Sequence, residues 1–124
     1  MTKIDKKGWI IEDDEGFVSI LKIKFEGDGF SVVTASDGEK GVEAAEQEKP
    51  DLILSDVLLP KMNGIEMGKK IKESDKNALI IFLTNLTDVA SIEEVKKLGF
   101  GYLIKSDLSI SDIVDKVKSK LKVG

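Results

Sequence analysis

The sequence predicts an α/β fold in which helices cover both faces of a parallel sheet. Short apolar runs alternate with longer segments whose apolar residues recur at helical spacing. The short runs are apolar at consecutive positions, which is typical of parallel strands buried on both faces. The chain has 124 residues, of which 41% are hydrophobic and 34% charged. We therefore expect one globular domain over residues 1–124.

Five strands and five helices are predicted in alternation. The predicted strands cover residues 9–11, 30–34, 52–55, 79–83 and 102–104. The clearest helix closes the chain, where apolar residues at 110, 113, 114, 117 and 121 share one face. Right-handed crossovers then place helices on both sides of the sheet. Five such units favour the doubly wound, flavodoxin-like strand order 2-1-3-4-5.

Helix faces and helix ends are also predicted. One face of the first helix is expected to contain Phe17, Ile20, Leu21 and Lys24. The buried face of the fourth is expected to contain Val89, Ile92, Val95 and Leu98. A serine followed three residues later by an acid fits a capping box. The pairs are Ser36 with Glu39, Ser91 with Glu94, and Ser109 with Asp112, of which Ser91 lies one turn after the expected start of its helix. Gly27, Gly29 and Gly99 stand where helices should end.

Composition excludes several kinds of site. The chain contains no cysteine and no histidine, which rules out disulfides, thiol chemistry and the usual zinc or copper ligands. No apolar segment is long enough for a signal peptide or a membrane span, so we expect a cytoplasmic protein that does not enter a membrane. The net charge of −4 argues against direct binding of nucleic acid. The lysines at 116, 118, 120 and 122 are interpreted as the solvated face of the last helix.

Polar residues follow four of the predicted strands. Glu12 and Asp13 follow the first strand, Asp56 the third, Thr84 the fourth and Lys105 the fifth. Ligands of doubly wound sheets bind at the carboxyl ends of the strands, so we expect these side chains to meet. Carboxylates ~4 Å apart repel by roughly 4 kcal/mol at an effective dielectric constant of about 20. The cluster therefore needs protons or a cation, and oxygen ligands alone suit Mg²⁺ or Mn²⁺.

Two interpretations of these residues stay open at this point. Asp13 or Asp14 is a good helix N-cap, and Asp56 is compatible with the start of a loop before a turn. Alternatively, Asp56 is a nucleophile that forms an aspartyl-phosphate. Mg²⁺ and Lys105 would then stabilise the charge of the transferred group, and Thr84 would donate a hydrogen bond to it. A turn needs no acid at the end of an apolar strand, which favours this second interpretation.

Four segments resemble the receiver domains of two-component response regulators. The segment DLILSDVLLPKMNG at 51–64 is similar to the family's phosphoacceptor segment and is the most specific of the four. WIIEDD at 9–14 resembles the first strand with its acid pair, and IIFLT at 80–84 the fourth strand with its switch threonine. GYLIK at 101–105 resembles the fifth strand with its aromatic residue and lysine. The likeness extends over essentially the whole chain.

The resemblance implies a site that accepts a phosphoryl group. Asp56 would take the group from a phosphohistidine on a sensor histidine kinase or a histidine phosphotransfer protein. Asp13 would ligate Mg²⁺ directly and Glu12 largely through water. Asp56 and the backbone carbonyl of Leu58 would be further ligands, and Lys105 would contact the phosphoryl oxygens.

The resemblance also implies a switch. Thr84 would move toward the phosphoryl group, and Tyr102 would change its rotamer. The face formed by helix 4, strand 5 and helix 5 would then bind a downstream protein, and a dimer that forms on phosphorylation is compatible with this scheme. We expect a stand-alone receiver, because the chain starts with methionine and contains no linker; a piece of a larger regulator is the alternative.

Three positions depart from the family's pattern. Asn85 follows the switch threonine where a small residue is usual, and it either narrows access to Asp56 or adds a hydrogen bond to the phosphoryl group. Ser106 replaces the usual proline, so a cis peptide after Lys105 would cost about 3 kcal/mol. Gly101 stands where an acid often precedes the aromatic residue.

Three other functions compete with a phosphorylated receiver. An aspartate-nucleophile phosphatase needs a second acid two residues after its nucleophile, and that position is Leu58. A flavin or nucleotide binder needs a phosphate-cradling loop after the first strand, where this chain has the acidic run 12–15. A degenerate receiver would act as a constitutive interaction module. The acid pair with Asp56, Thr84 and Lys105 argues against that, whereas Asn85 and Ser106 leave it open.

We predict slow loss of the phosphoryl group from Asp56. Leu58 and Leu86 flank the site, and apolar side chains cannot hold an attacking water by hydrogen bonds. The phosphorylated chain should therefore persist for many minutes or longer when its decay is followed after removal of the donor. A half-life of seconds would contradict this prediction.

Overall fold

Strands and helices alternate along the chain in a computed structural model that describes residues 5–84 and 88–122. The strands are β1 (Lys7–Ile11), β2 (Ser31–Ala35), β3 (Leu52–Asp56), β4 (Ile80–Thr84) and β5 (Gly101–Ile104). The helices are α1 (Glu15–Gly27), α2 (Gly38–Glu48), α3 (Gly64–Ser74), α4 (Val89–Lys97) and α5 (Ile110–Leu121). A short 3₁₀ turn, Lys105–Asp107, follows β5. Each predicted strand lies within a residue or two of an observed one.

The sheet has the predicted order, β2-β1-β3-β4-β5, and every pairing is parallel. Its register places Ile11 opposite Ser55 and Asp56 opposite Leu83. The carboxyl ends of β1, β3 and β4 consequently reach the same edge of the sheet. No helix of the described residues is both long and apolar enough to cross a membrane.

Two apolar clusters fill the space between the sheet and its helices. One lies under α2, α3 and α4 and includes Phe82 of β4 and Met67 of α3. The other lies under α1 and α5 and includes Leu54 of β3 and Val114 of α5. The side chains of β3 and β4 feed both clusters in alternation, because successive residues of a strand point to opposite faces. These two strands are therefore apolar throughout, as predicted for a doubly covered sheet.

The edge strand β2 contradicts the expectation that every strand is buried on both faces. Val33 is 45% exposed, and Ser31 and Thr34 are also exposed. This strand pairs only with β1, so helices cover it incompletely and its apolar run does not indicate burial. The predicted helix faces are also wrong in part: Ile20, Val89 and Leu98 are 55%, 62% and 41% exposed. Val89 and Leu98 lie at the two ends of α4.

Aspartates cap two of the helices for which serines were predicted. Asp37, rather than Ser36, begins α2 and accepts a hydrogen bond from the Lys40 N–H at 3.0 Å. Asp88, rather than Ser91, begins α4 and accepts from the Ser91 N–H at 3.3 Å. Asp37 lies one residue after Ser36 and Asp88 three residues before Ser91, and each aspartate reaches the free N–H groups of the first turn.

Other predicted helix ends are confirmed. Ser109 and Asp112 form a complete capping box at the start of α5. Helix α1 ends at Gly27, and Gly29 and Gly99 have φ angles of 101° and 81° just after α1 and α4. Glycine adopts these left-handed conformations without steric cost.

The loop that follows β3 packs tightly against the start of α2. A methyl group added at Gly38 would lie 2.5 Å from the carbonyl oxygen of Met62 and 2.8 Å from its Cβ. The buried carboxylate of Asp37 also forms an ion pair of 3.8 Å with Lys61 in the same loop. The backbone just after Asp56 is thereby held against a neighbouring helix.

We predict that Gly38→Ala destabilises the fold by about 1–3 kcal/mol, because the new methyl group must displace the backbone of the loop. Urea unfolding measures the change. Gly27→Ala is the matched control: nothing lies within 4 Å of a methyl group at that position, so its stability should be unchanged or slightly higher. Equal midpoints for wild type and Gly38→Ala would contradict the packing argument.

Candidate functional site

Four of the predicted site residues lie where the strands end at the carboxyl edge of the sheet. Asp56 and Thr84 are the last residues of β3 and β4, Glu12 directly follows β1, and Lys105 directly follows β5. The parallel register brings these ends together, although the residues are far apart in the chain. Tyr102 lies farther back on β5, opposite Phe82 of β4.

Three carboxylates form a cluster at this edge. Oxygen atoms of Glu12, Asp13 and Asp56 all lie within 4.8 Å of one another. Glu12 is buried, Asp56 is half-buried and Asp13 is exposed, so the cluster opens toward solvent at Asp13. A cleft of about 480 Å³ begins there and is lined on its other side by Leu58, Pro60 and neighbouring loop residues.

Lys105 bridges the two less exposed acids. Its Nζ atom donates to Glu12 Oε2 at 3.1 Å and to Asp56 Oδ2 at 3.5 Å. The other oxygen of each carboxylate is held by the backbone: Asp14 N–H donates to Glu12 Oε1 at 3.2 Å, and Leu58 N–H donates to Asp56 Oδ1 at 3.3 Å. Both carboxylates are thus oriented by one backbone donor and one shared ammonium.

Burial and mutual repulsion change the acidity of this cluster. Burial, followed by the negative charge of Asp56, raises the pKa of Glu12 from 4.5 to about 7, although Lys105 acts in the opposite direction. For Lys105, burial lowers the pKa, but the hydrogen bond to Glu12 and the charges of both acids outweigh it, so the pKa is raised. The ammonium therefore stays charged, whereas a second carboxylate beside Asp56 is costly to ionise.

The cluster has the donors of a site for a hard divalent cation. Carboxylate oxygens are the ligands that Mg²⁺ prefers, and the chain has no histidine or cysteine to favour a softer metal. The alternative role of the acidic run is also present, because Asp14 Oδ1 caps α1 by accepting from the Phe17 N–H at 3.1 Å. Asp14 therefore caps the helix, whereas Glu12 and Asp13 belong to the carboxylate cluster.

The two predicted switch residues have contrasting surroundings. Thr84 is buried, and within residues 5–84 and 88–122 its Oγ1 atom has no hydrogen-bond partner. Tyr102 is half-buried and packs against the apolar cluster under α4. Asn85 and Leu86, which entered the sequence predictions, lie outside the described residues. The peptide that joins Lys105 to Ser106 is trans, in agreement with the absence of proline there.

The sequence did not indicate the role of one residue at this site. Phe17 was predicted only as part of the buried face of α1, yet the Nζ atom of Lys105 lies 4.6 Å from the centre of its ring. No local signal distinguishes such an aromatic residue from an ordinary core residue, because the partner is 88 positions away in the chain.

We predict that Glu12 makes the metal-free chain less stable as the pH rises. Its pKa is about 7 in the folded chain against an ordinary value of 4.5, so the folded state retains a proton that the unfolded state loses. Between these two values stability should fall with rising pH, by about 3 kcal/mol in total.

Urea unfolding in the presence of a chelator, from about pH 5 to about pH 8, measures this effect. Glu12→Gln should flatten the dependence, whereas Glu15→Gln, which changes an exposed acid of the same run, should leave it in place. An unchanged slope in Glu12→Gln would show that burial of Glu12 is not its source.

Comparison with known proteins identifies the family. The model of the response regulator receiver domain matches residues 9–118. Sporulation initiation phosphotransferase F of Bacillus subtilis (strain 168) is 31% identical over 118 residues, which are 95% of this chain and 95% of that protein.

A second relative is longer than this chain. The alkaline phosphatase synthesis transcriptional regulatory protein PhoP of the same organism is 43% identical over 81 residues, which are 65% of this chain and 34% of that protein. The match therefore spans about a third of PhoP.

The fold has equally clear relatives among solved structures. A CheY-like response regulator receiver domain from Methanospirillum hungatei JF-1 superposes with a TM-score of 0.88 at 26% identity, covering 96% of this chain and 95% of that one. The fold and the family match agree with one another. The chain belongs to the receiver domains of two-component response regulators.

Proposed function

We propose that the chain accepts a phosphoryl group on Asp56 from a phosphohistidine of a sensor histidine kinase or a histidine phosphotransfer protein. The observation that carries this proposal is the carboxylate cluster, with Lys105 hydrogen-bonded to Asp56 at 3.5 Å. Asp56 is half-buried, its carboxylate accepts a hydrogen bond from Leu58 N–H, and the Lys105 ammonium lies beside it. A carboxylate in these surroundings is suited to nucleophilic attack on phosphorus.

The transfer forms one bond and breaks another. An oxygen of Asp56 attacks the phosphorus, and the bond from phosphorus to the imidazole nitrogen breaks. The nitrogen keeps the electron pair of that bond and takes up one proton from solvent, so the donor histidine leaves as a neutral side chain. Lys105 stabilises the negative charge of the equatorial oxygens. Thr84, whose hydroxyl has no partner among the described residues, supplies a further donor on the adjacent strand.

The cluster would hold Mg²⁺ through oxygen atoms of Asp13, Asp56 and the Leu58 backbone, with Glu12 acting largely through water. The bound cation would reduce the repulsion between the acids and an incoming phosphoryl group. The approach of Glu12, Asp13 and Asp56 oxygens to within 4.8 Å of one another supports a shared cation site.

The signal would leave the site through the face formed by α4, β5 and α5. Receivers exist as two packings of one core, and phosphorylation shifts their populations. Thr84 lies at the end of β4, and Tyr102 packs over the cluster that β4 and α4 share. A change at Thr84 would therefore alter the surroundings of Tyr102 and the face that a downstream protein, or a second copy of the chain, recognises.

Binding of beryllofluoride, which mimics a phosphoryl group, tests the proposal. We expect calorimetry or NMR to show binding to wild type only when Mg²⁺ is present. Asp56→Ala should abolish it. Asp51→Asn is the matched control, because Asp51 is an exposed acid at the opposite end of β3, and it should bind as wild type does.

Two results would contradict the proposal: no binding to wild type with Mg²⁺, as expected of a degenerate receiver, or undiminished binding to Asp56→Ala. Transfer of labelled phosphate from candidate kinases to wild type, and its absence with Asp56→Ala, then tests the phosphohistidine donor.

A further inference from the structure

The ammonium of Lys105 is enclosed by two carboxylates and one aromatic ring. Glu12 and Asp56 accept its hydrogen bonds at 3.1 and 3.5 Å, and its Nζ atom lies 4.6 Å from the centre of the Phe17 ring. The Lys105 side chain is only 25% exposed. An ammonium over an aromatic face is attracted by the ring's electron density, and the attraction is stronger where water is excluded.

Apolar packing holds the ring of Phe17 in place. Phe17 packs against the apolar cluster under α1 and α5, and its N–H group donates to the Asp14 carboxylate that caps α1. Lys105 instead reaches the site on a flexible stem of four carbons, from the short turn after β5. The fixed ring therefore restricts where the mobile ammonium can lie.

The position of this ammonium matters because two acids compete for it. The contact with the buried Glu12 is shorter than the contact with Asp56, and only Asp56 is proposed to receive the phosphoryl group. Without an aromatic ring beside it, the Lys105 ammonium would be open to solvent on the side away from the two acids and could rotate away from them. In that position it would stabilise neither Asp56 nor the transferred group. Phe17 closes that side.

We propose that Phe17 is a positioning residue for phosphoryl transfer: its ring holds the Lys105 ammonium beside Asp56. The proposal rests on the proposed function for its chemical consequence, but the contact itself exists in the metal-free chain. The first turn of α1 would then contribute to the site through the ring of Phe17, in addition to the hydrogen bond by which its N–H group completes the helix cap.

The contact can be measured directly by NMR. A ring this close should shift the Hε resonances of Lys105 upfield in the metal-free wild type. The shift should persist in Phe17→Tyr, which keeps an aromatic face, and disappear in Phe17→Leu, which keeps apolar packing. Resonances of Lys105 at ordinary positions in wild type would overturn the proposal.

The functional effect is measured as the affinity for beryllofluoride with Mg²⁺. Phe17→Leu should weaken it by about three- to tenfold, the change expected from loss of one cation–π contact. Phe17→Tyr should restore it. In a Lys105→Met background, Phe17→Leu should have no further effect, because the residue acts through the ammonium.

Phe25→Leu is the matched control. Phe25 belongs to the same helix and the same apolar cluster, but its ring packs on Phe30 at 5.1 Å. It should bind beryllofluoride as wild type does, with all variants compared under conditions where urea unfolding shows them to be folded.

Equal affinity in Phe17→Leu and wild type would overturn the proposal. So would a Phe17→Tyr variant as weak as Phe17→Leu, since that result indicates packing rather than an aromatic face. If wild type itself does not bind beryllofluoride, the proposed function has failed, and the Lys105 resonances alone then decide whether Phe17 holds the ammonium.

Discussion

The carboxylates of Glu12 and Asp56 share the ammonium of Lys105 at the carboxyl edge of the sheet. One positive charge cannot balance two close acids and a third, exposed one at Asp13. Burial, followed by the negative charge of Asp56, raises the pKa of Glu12, and the excess negative charge favours the binding of a cation. The same unbalanced charge would repel a phosphoryl group that approached Asp56 without a cation.

The sheet makes this arrangement possible. Parallel strands deliver their last residues to one edge, and the strand order places β3 between β1 and β4. Asp56 therefore lies among side chains of the neighbouring strands, and the apolar side chains of β3 and β4 that precede this edge are buried. The packing of Gly38 against Met62 holds the loop that follows β3 against α2, and Asp56 is the last residue of β3.

Much of the fold and part of the site could be predicted from local patterns. Consecutive apolar residues predicted β3 and β4, because strands covered on both faces need no polar position. The same apolar pattern wrongly predicted that β2 is buried on both faces, because burial also depends on how many strands lie beside it. Ser36 and Ser91 were good caps by type, but Asp37 and Asp88 lay nearer the free N–H groups. Phe17 could not be distinguished from a core residue.

The sequence by itself determined the alternation of strands and helices, the oxygen-only chemistry of the site and the acids that follow β1 and β3. These depend on residue type and short-range spacing, which the chain carries locally. The tertiary structure decided which acid is buried, which oxygen faces Lys105 and which ring lies against its ammonium. Those properties depend on distances between residues far apart in the chain, and only the packed sheet and helices bring such residues together.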